Sequence, residues 1–432
     1  MEHSQSAPRQ NSLPLYIQVL MAVAGGATLG LVAGQEPYLG GLRNDQLGRL
    51  GLGVVWLLKT LAVPLIAFAI MDALIRTSLP LRQGAKLIVI CLANASVAML
   101  IGLTIMNGWQ PGRHWEGHVD DLLHVVPGTG LAPTFTASDH PLEDLLAYIP
   151  RTIADPFSSH NIIGVVLLAL ALGALLRWGQ HRSGHAGGAV DRVARAVERI
   201  YGWLVQLLGW VILTVPFAVF GVVAHVVGQA GVGVFTVLWI FLVAMLLGLA
   251  VHALFYYPLV AWFIGRKPPR LYLGQGADAV TTALSCNSSL ATVPITLRCL
   301  ERMGVSAQSA RLAACVGTNL NNDGITLYEA MAALFLAQAL GYDLPMAKQL
   351  LIVLASLIAG AGVAGIPEAG MIVLPLVLTA AGLPDQVILA AIPLIMTVDW
   401  IIARVRSGVN VMSDMLVAIL LDAGRRSPSP RA

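Results

Sequence analysis

Apolar residues along this chain gather into long uncharged runs. Leu13 to Gly34, Leu87 to Asn107 and Val232 to Ile264 contain no charged residue. Each exceeds the ~20 residues that a helix needs to cross the hydrocarbon of a bilayer. The runs predict six ordinary spanning helices at about 13–34, 50–75, 85–107, 141–177, 193–228 and 232–264, the fourth broken at Pro150 and Pro156. From Tyr272 onward, polar and Gly-rich stretches interrupt the apolar runs at intervals too short for simple crossings. Re-entrant hairpins and broken helices give that pattern, so the chemistry is expected there.

Composition agrees. The 432 residues are 57% hydrophobic and 11% charged, against roughly 25% charged for a soluble chain, so the bilayer is the solvent. The formal net charge of +3 says little, but the basic residues cluster in alternate loops. Arg76, Arg82 and Lys86 follow the second run; Arg177, Arg182, Arg192, Arg195 and Arg199 separate the fourth and fifth; Arg266, Lys267 and Arg270 follow the sixth. Such loops stay in the cytoplasm. The acidic connection 112–144 and the short Gly228 to Gly233 link are expected outside, with both termini inside, as in a multi-pass protein of the cell inner membrane. The polar leader Met1 to Asn11 does not read as a secretory signal, so the first run is expected to be an uncleaved helix.

Four interruptions carry the candidate chemistry. The first, Ser285-Cys286-Asn287-Ser288-Ser289 ahead of Pro294, suits a hairpin tip facing a cavity; a serine-rich packing face is the alternative. The second, Gly317-Thr318-Asn319-Leu320-Asn321-Asn322-Asp323-Gly324, sets an aspartate among amides at membrane depth. Unwound carbonyls with Asn and Asp oxygens make a hard-cation site, unless the amides only bond neighbouring helices. The third, Ala359 to Gly370, holds glycines and Pro367 between apolar arms and reads as a mobile hairpin tip or as tight small-residue packing. The fourth is the last helix. Arg406, Asn410 and Asp414 recur every fourth residue there, within about 80° of one face, which must turn to a cavity. Arg406 offers a fork suited to a carboxylate; an internal Arg406 to Asp414 ion pair is the alternative.

Other classes find less support. Neither His-Glu-x-x-His nor Gly-x-Ser-x-Gly occurs, so no enzyme and no enzymatic cofactor is expected. Cys91, Cys286, Cys299 and Cys315 lack metal-ligand spacing and read as small buried hydrophobes. The ten histidines lie mostly in hydrophilic loops and are given no role. No nucleic-acid partner is expected.

These stretches, in this order, resemble the dicarboxylate/amino acid:cation symporter family, which includes glutamate transporter homologues. The resemblance covers essentially the whole chain. Ser288 to Cys299 looks like its serine-rich first hairpin, and Asn321-Asn322-Asp323-Gly324-Ile325 stands where the family has Asn-Met-Asp-Gly-Thr. Ala364 to Gly370 looks like the second hairpin tip, Arg406 to Asp414 the final helix, and Leu58 to Leu65 the second helix. The resemblance implies an all-α polytopic membrane protein of eight transmembrane helices plus two re-entrant helical hairpins, assembled as a homotrimer. The expected division is a tail at 1–12, six helices over 13–264 with an outer loop at about 108–140, a transport core over 265–421 and a tail at 422–432. Within the core, hairpin 1 is expected at about 271–299, helix 7 at 305–340, hairpin 2 at 345–383 and helix 8 at 385–421.

Carried over position by position, Gly317, Asn321, Asn410 and Asp414 match one sodium site; Asn321 and Asp323 with Asn94 fall at a second; the backbone around Asn319 and the second hairpin would hold a third. Substrate would lie among Asn287, Ser288, Ser289, Ile325, Gly365, Ile366, Pro367, Glu368, Ala369, Gly370, Ala403, Arg406, Ser407 and Asn410. Glu329 matches a Glu of members that carry a proton with the substrate; pairing with a basic neighbour is its alternative. Arg404 matches an extra Arg on the last helix of some members. Three departures bear on the site. Ala403 stands where amino-acid carriers place the Asp that holds the substrate ammonium, and Ile325 replaces the motif Thr. In the third helix, Cys91 and Ala95 replace Tyr and Ser ligands. The loss at Ala403 points to a ligand without an amino group, so the resemblance implies elevator-type symport of sodium, with or without a proton, and a small C4-dicarboxylate. An aspartate or glutamate carrier, with Asp399 serving the ammonium, is the alternative; a passive ion channel is the reading from another class.

Overall fold

In the computed structural model, residues 15–38, 40–76, 81–116, 152, 162–183, 188–361 and 369–423 are described. They form helices α1 (Leu15–Ala33), α2 (Asn44–Arg76), α3 (Leu81–Trp109), α4 (Ile162–Ser183), α5 (Ala189–Ala230) and α6 (Val234–Val251). A π turn, His252–Tyr256, leads from α6 into α7 (Tyr257–Phe263). Next come α8 (Pro269–Cys286), α9 (Ser289–Arg302), α10 (Ala307–Arg311), α11 (Asp323–Ala339), α12 (Met346–Ala361), α13 (Ala369–Ala380) and α14 (Asp385–Ala423). No strand occurs among the described residues.

The uncharged runs are helices. Five stretches, Asn44–Asp72, Gln83–Trp109, Gly164–Arg182, Ala189–Gln229 and Gly231–Phe263, are long and apolar enough to cross a membrane. Several helix ends differ from expectation. α2 begins at Asn44, α3 at Leu81 and α5 at Ala189, each one to two turns early, because Asp45, Gln46, Arg192 and their neighbours are tolerated in a helix. α4 passes Arg177 and ends at Ser183, where Arg182 rests its guanidinium 5.1 Å from the Trp178 ring and so finds a partner inside the helix. The proposed break at Pro150 and Pro156, the acidic outer loop and both polar tails lie outside the described residues.

Two groups of helices result. α1, α2 and α5 pack along one another, with α4 against α2. The second group is built around α11, all of whose residues from Asp323 to Ala339 are buried. A helix buried all round sits at the centre of its domain. α3, α6, α12, α13 and α14 surround it, and the hairpin α8–α9 packs on α14. Lys86 of α3 donates to the carbonyls of Leu420 at 3.0 Å and Leu421 at 2.9 Å, satisfying acceptors that the last turn of α14 cannot pair itself. The groups meet where α13 and α14 contact α2 and where α14 contacts α1 and α5. A cleft there is lined by Leu15, Val19, Leu58, Ile212, Met371 and Asp399 among others.

Candidate functional site

The first hairpin turns at Asn287, which sits in the left-handed region at φ 52°, a conformation Asn tolerates better than most side chains. Ser288 is extended and caps α9, its Oγ accepting from the Ala291 N–H at 3.2 Å. The tip is anchored inward. Ser407 Oγ donates to Asn287 Oδ1 at 3.0 Å, and Thr318 Oγ1 lies 3.4 Å from Ser289 Oγ. Three buried tip residues thus face α14 and the unwound segment.

That segment is unwound as its Gly and Asn content predicts. A π turn at Leu312–Val316 and a 3-10 turn at Gly317–Asn319 precede irregular backbone up to Asp323, the first residue of α11. Asn321 Nδ2 donates to Asp414 Oδ1 at 3.1 Å, and the Gly324 N–H donates to Asn410 Oδ1 at 2.8 Å. Asn410 Nδ2 is 3.4 Å from Asn322 Oδ1, while Asn322 Nδ2 donates to the Gly360 carbonyl at 2.9 Å and so ties the second hairpin to the site. Only glycine fits at 324, where a Cβ would stand 2.8 Å from the Arg406 carbonyl oxygen and 3.0 Å from Asn410 Oδ1. Of the expected cation residues, Gly317, Asn321, Asp323, Asn94, Asn410 and Asp414 are all buried. The Asn319 side chain lies outside the described residues, as do the Ala369 side chain and Gly365, Ile366, Pro367 and Glu368.

Arg406 does not pair with Asp414. Its Nη2 meets Asp399 Oδ2 at 3.0 Å, both side chains almost wholly buried. Residues seven apart lie only ~20° from one line on a helix, closer than residues eight apart, so Asp399 wins. The guanidinium carbon is 4.0 Å from the centre of the Tyr328 ring, a cation–π distance. A Cβ at Gly370 would stand 2.5 Å from Arg406 Nη1, so the missing side chain makes room for the fork. Ala403 and Ile325 are buried at 2% and 5% exposure. Glu329 is wholly buried, and neither carboxyl oxygen has a hydrogen-bond partner among the described residues.

The charges do not balance. Asp323, Glu329, Asp399 and Asp414 are buried around α11 and α14, against Arg406 as the one buried Lys or Arg among the described residues. Ser413 Oγ lies 2.6 Å from Asp323 Oδ2 and 3.0 Å from Asn321 Oδ1, but a hydroxyl has one proton. Given to the carboxylate, it leaves the Asn321 oxygen facing oxygen. Asp323 Oδ1 has no partner among the described residues. Hard oxygens without enough protons are the donor set of a small hard cation, so the residues fit sodium.

Several functional contacts were not legible in the sequence. His252, expected to have no role, is wholly buried, with Nε2 3.5 Å from Asp323 Oδ2. Tyr257, Tyr256 and Ser413 were also passed over; the signal was Ser413 between Asn410 and Asp414, and two phenols in an apolar run before Pro258. The cysteine reading is half corrected: Cys91 and Cys299 are buried, but Cys286 and Cys315 are exposed, because the hairpin tip and the outer side of a π turn leave them uncovered.

Bilayer-length helices enclosing broken helices, with four carboxyl groups and one guanidinium buried around α11 and α14, define a polytopic membrane protein with a buried charged centre. The chain belongs to the sodium:dicarboxylate symporter family, whose model matches residues 15–423. It is 31% identical over 297 residues to "Excitatory amino acid transporter 4" of Mus musculus, covering 68% of this chain and 51% of that protein. It is 34% identical over 263 residues to "Excitatory amino acid transporter 1" of Ambystoma tigrinum, 61% of this chain and 47% of that one. "Excitatory amino acid transporter" of Caenorhabditis elegans is 33% identical over 271 residues, 60% and 50% of the two chains. The chain spans about half the length of the curated relatives it matches.

Proposed function

We propose that this protein is a secondary active symporter that couples sodium influx to uptake of a small acidic amino acid of the aspartate or glutamate type. The observation that carries it is the charge imbalance around α11 and α14, where Asp323, Glu329, Asp399 and Asp414 are buried against one arginine. Buried charge must be paired, and sodium supplies what the chain lacks. Asn321, Asp414, Asn410 and Gly317 hold one ion, and Asp323 with Asn321 and Asn94 a second; the third, near Asn319 and the second hairpin, rests on the resemblance alone.

The substrate lies between the hairpin tips, its carboxylate on Arg406. That fork is held by Asp399, whose Oδ1 has no partner among the described residues. An amino acid brings both a carboxylate for Arg406 and an ammonium for Asp399, so both members of that pair keep a partner in the exchange. A plain dicarboxylate adds two negative charges beside Asp399 and offers it nothing. The names of the relatives favour the same substrate class.

One observation favours a C4-dicarboxylate instead: position 403 is a buried alanine, where amino-acid carriers of the family place the Asp that holds the substrate ammonium. Glu329 is the candidate for a co-transported proton. Elevator movement of the α11-centred group against α1, α2, α4 and α5, a homotrimer and an inner-membrane location with both termini inside complete the reading.

The test is thermal unfolding of the purified protein with aspartate, glutamate or succinate, in sodium or in choline. Stabilisation by aspartate or glutamate that needs sodium supports the proposal. Stabilisation by succinate alone transfers it to the dicarboxylate reading, and ligand effects equal in both salts would sink sodium coupling. In liposomes, uphill accumulation that collapses with the sodium gradient separates carrier from channel.

A further inference from the structure

The departures at Cys91 and Ala95 leave the second cation site short of a tyrosine and a serine on α3. Two other phenols and another hydroxyl stand there. Tyr257 Oη donates to Asp323 Oδ2 at 3.0 Å, and Ser413 Oγ reaches the same oxygen at 2.6 Å. His252 Nε2 lies 3.5 Å from it. One oxygen of a wholly buried carboxylate is therefore crowded with donors, while the other, Oδ1, has none among the described residues. Donors concentrated on one oxygen fix the plane and direction of the carboxylate. The arrangement leaves Oδ1 free to meet a cation.

Tyr256 acts one step away. Its hydroxyl donates to Asn94 Oδ1 at 3.0 Å, and Asn94, 1% exposed, has no partner for Nδ2 among the described residues. An unpartnered buried N–H is costly, and the two ends of an amide are assigned from its hydrogen bonds. Turned over, the amide would donate from Nδ2 to the Tyr256 oxygen and present Oδ1 as a fresh acceptor. A phenol can serve either orientation because it both donates and accepts.

The backbone explains how two adjacent tyrosines reach one site. In a regular α-helix, neighbours diverge by ~100°, residues five apart by ~140° and residues four apart by only ~40°, so His252 and Tyr256 would share a face and Tyr257 would turn away from both. The π turn at His252–Tyr256 widens the helix by one residue and brings all three round together. Pro258 immediately follows; it cannot donate to the residue-254 carbonyl and its ring crowds that group. The wider turn relieves both.

Resting on the sodium reading above, we propose that Tyr257 and Tyr256 are positioning residues of the Asp323 cation site: Tyr257 aims the carboxylate and Tyr256 the Asn94 amide. The site is thus rebuilt from α6–α7 in place of α3.

The experiment titrates sodium alone, at ionic strength held constant with choline, against the thermal unfolding of the full chain in detergent. Tyr257→Phe should raise the half-stabilising sodium concentration about fivefold or more, and Tyr256→Phe by a smaller factor of about two to three. Gln338→Met is the control for a lost buried polar contact: Gln338 donates to the Met106 carbonyl at 2.7 Å, about 22 Å along α11 from Asp323. It should lower the melting temperature without moving the sodium midpoint. A Tyr257→Phe midpoint within about twofold of wild type, or a tighter one, overturns the proposal. If that variant does not fold, Ser413→Ala and Tyr256→Phe decide, and an unmoved midpoint in both overturns it. A wild type that responds alike to sodium and choline would remove the cation site itself. A responsive wild type with unresponsive tyrosine variants would remove only the tyrosines' role.

Discussion

Arg406 and Asp399, seven residues apart on α14, join at 3.0 Å with both side chains almost wholly buried. The pair holds the guanidinium that the proposed substrate carboxylate would meet, so on that proposal Asp399 must give up the fork when substrate binds. Removing one partner of a buried pair costs about 3–5 kcal/mol, because the other is left charged and alone. Arg406→Gln should therefore lose both substrate binding and stability, whereas Arg406→Gln with Asp399→Asn should recover much of the stability but not the binding. Unfolding of the two variants with and without aspartate checks this. Equal stability of the single and double variants would show the pair to be uncoupled.

Asp414→Asn should weaken sodium binding and, with it, substrate binding. Asp414 accepts from Asn321 at 3.1 Å within the first of the proposed cation sites, and linkage between two ligands is reciprocal. Paired titrations, sodium at fixed aspartate and aspartate at fixed sodium, should both shift. A shift in only one contradicts the coupling.

Ala403→Asp tests the substrate. The alanine is buried at 2% exposure, and a carboxylate there would repel a plain dicarboxylate and attract an ammonium. The ratio of aspartate to succinate affinity should rise about tenfold, or ~1.4 kcal/mol. Titrations of both ligands at saturating sodium read that ratio; an unchanged one would mean that position 403 does not set specificity.

Two glycines should separate binding from folding. At Gly370 an added methyl meets the end of the Arg406 side chain, and at Gly324 it meets the Arg406 carbonyl, which cannot swing away. Gly370→Ala should weaken aspartate binding with little change in melting temperature. Gly324→Ala should destabilise the protein by about 1–3 kcal/mol, the usual cost of overpacking. Melting temperatures and aspartate titrations distinguish the two, and the reverse pattern would contradict the geometry.

Glu329→Gln keeps the shape of a buried side chain that has no hydrogen-bond partner among the described residues, so folding should survive. If Glu329 carries the proton, uptake by the variant should lose most of its dependence on external pH while retaining its dependence on sodium. Uptake measured in liposomes across pH 5 to 8 reads this, and an unaltered pH profile would remove Glu329 from the proposed proton path.

The sequence by itself determined the helices and where they break. Uncharged runs longer than a bilayer have one stable backbone form in lipid, and the Ser and Asn of the Ser285 to Ser289 stretch and the Gly and Asn of the Gly317 to Gly324 stretch disfavour that form locally. The face of α14 that carries Arg406, Asn410 and Asp414 was equally legible, because helical spacing alone aligns them. Only the tertiary structure decided what each polar group meets. Asp399 took Arg406, Tyr257 and His252 crossed to Asp323, and Asn322 tied down Gly360. A buried polar group must find a partner, but several lie within reach along the chain and across it. The choice depends on how α11, α14 and the π turn before α7 stack, which no local pattern specifies.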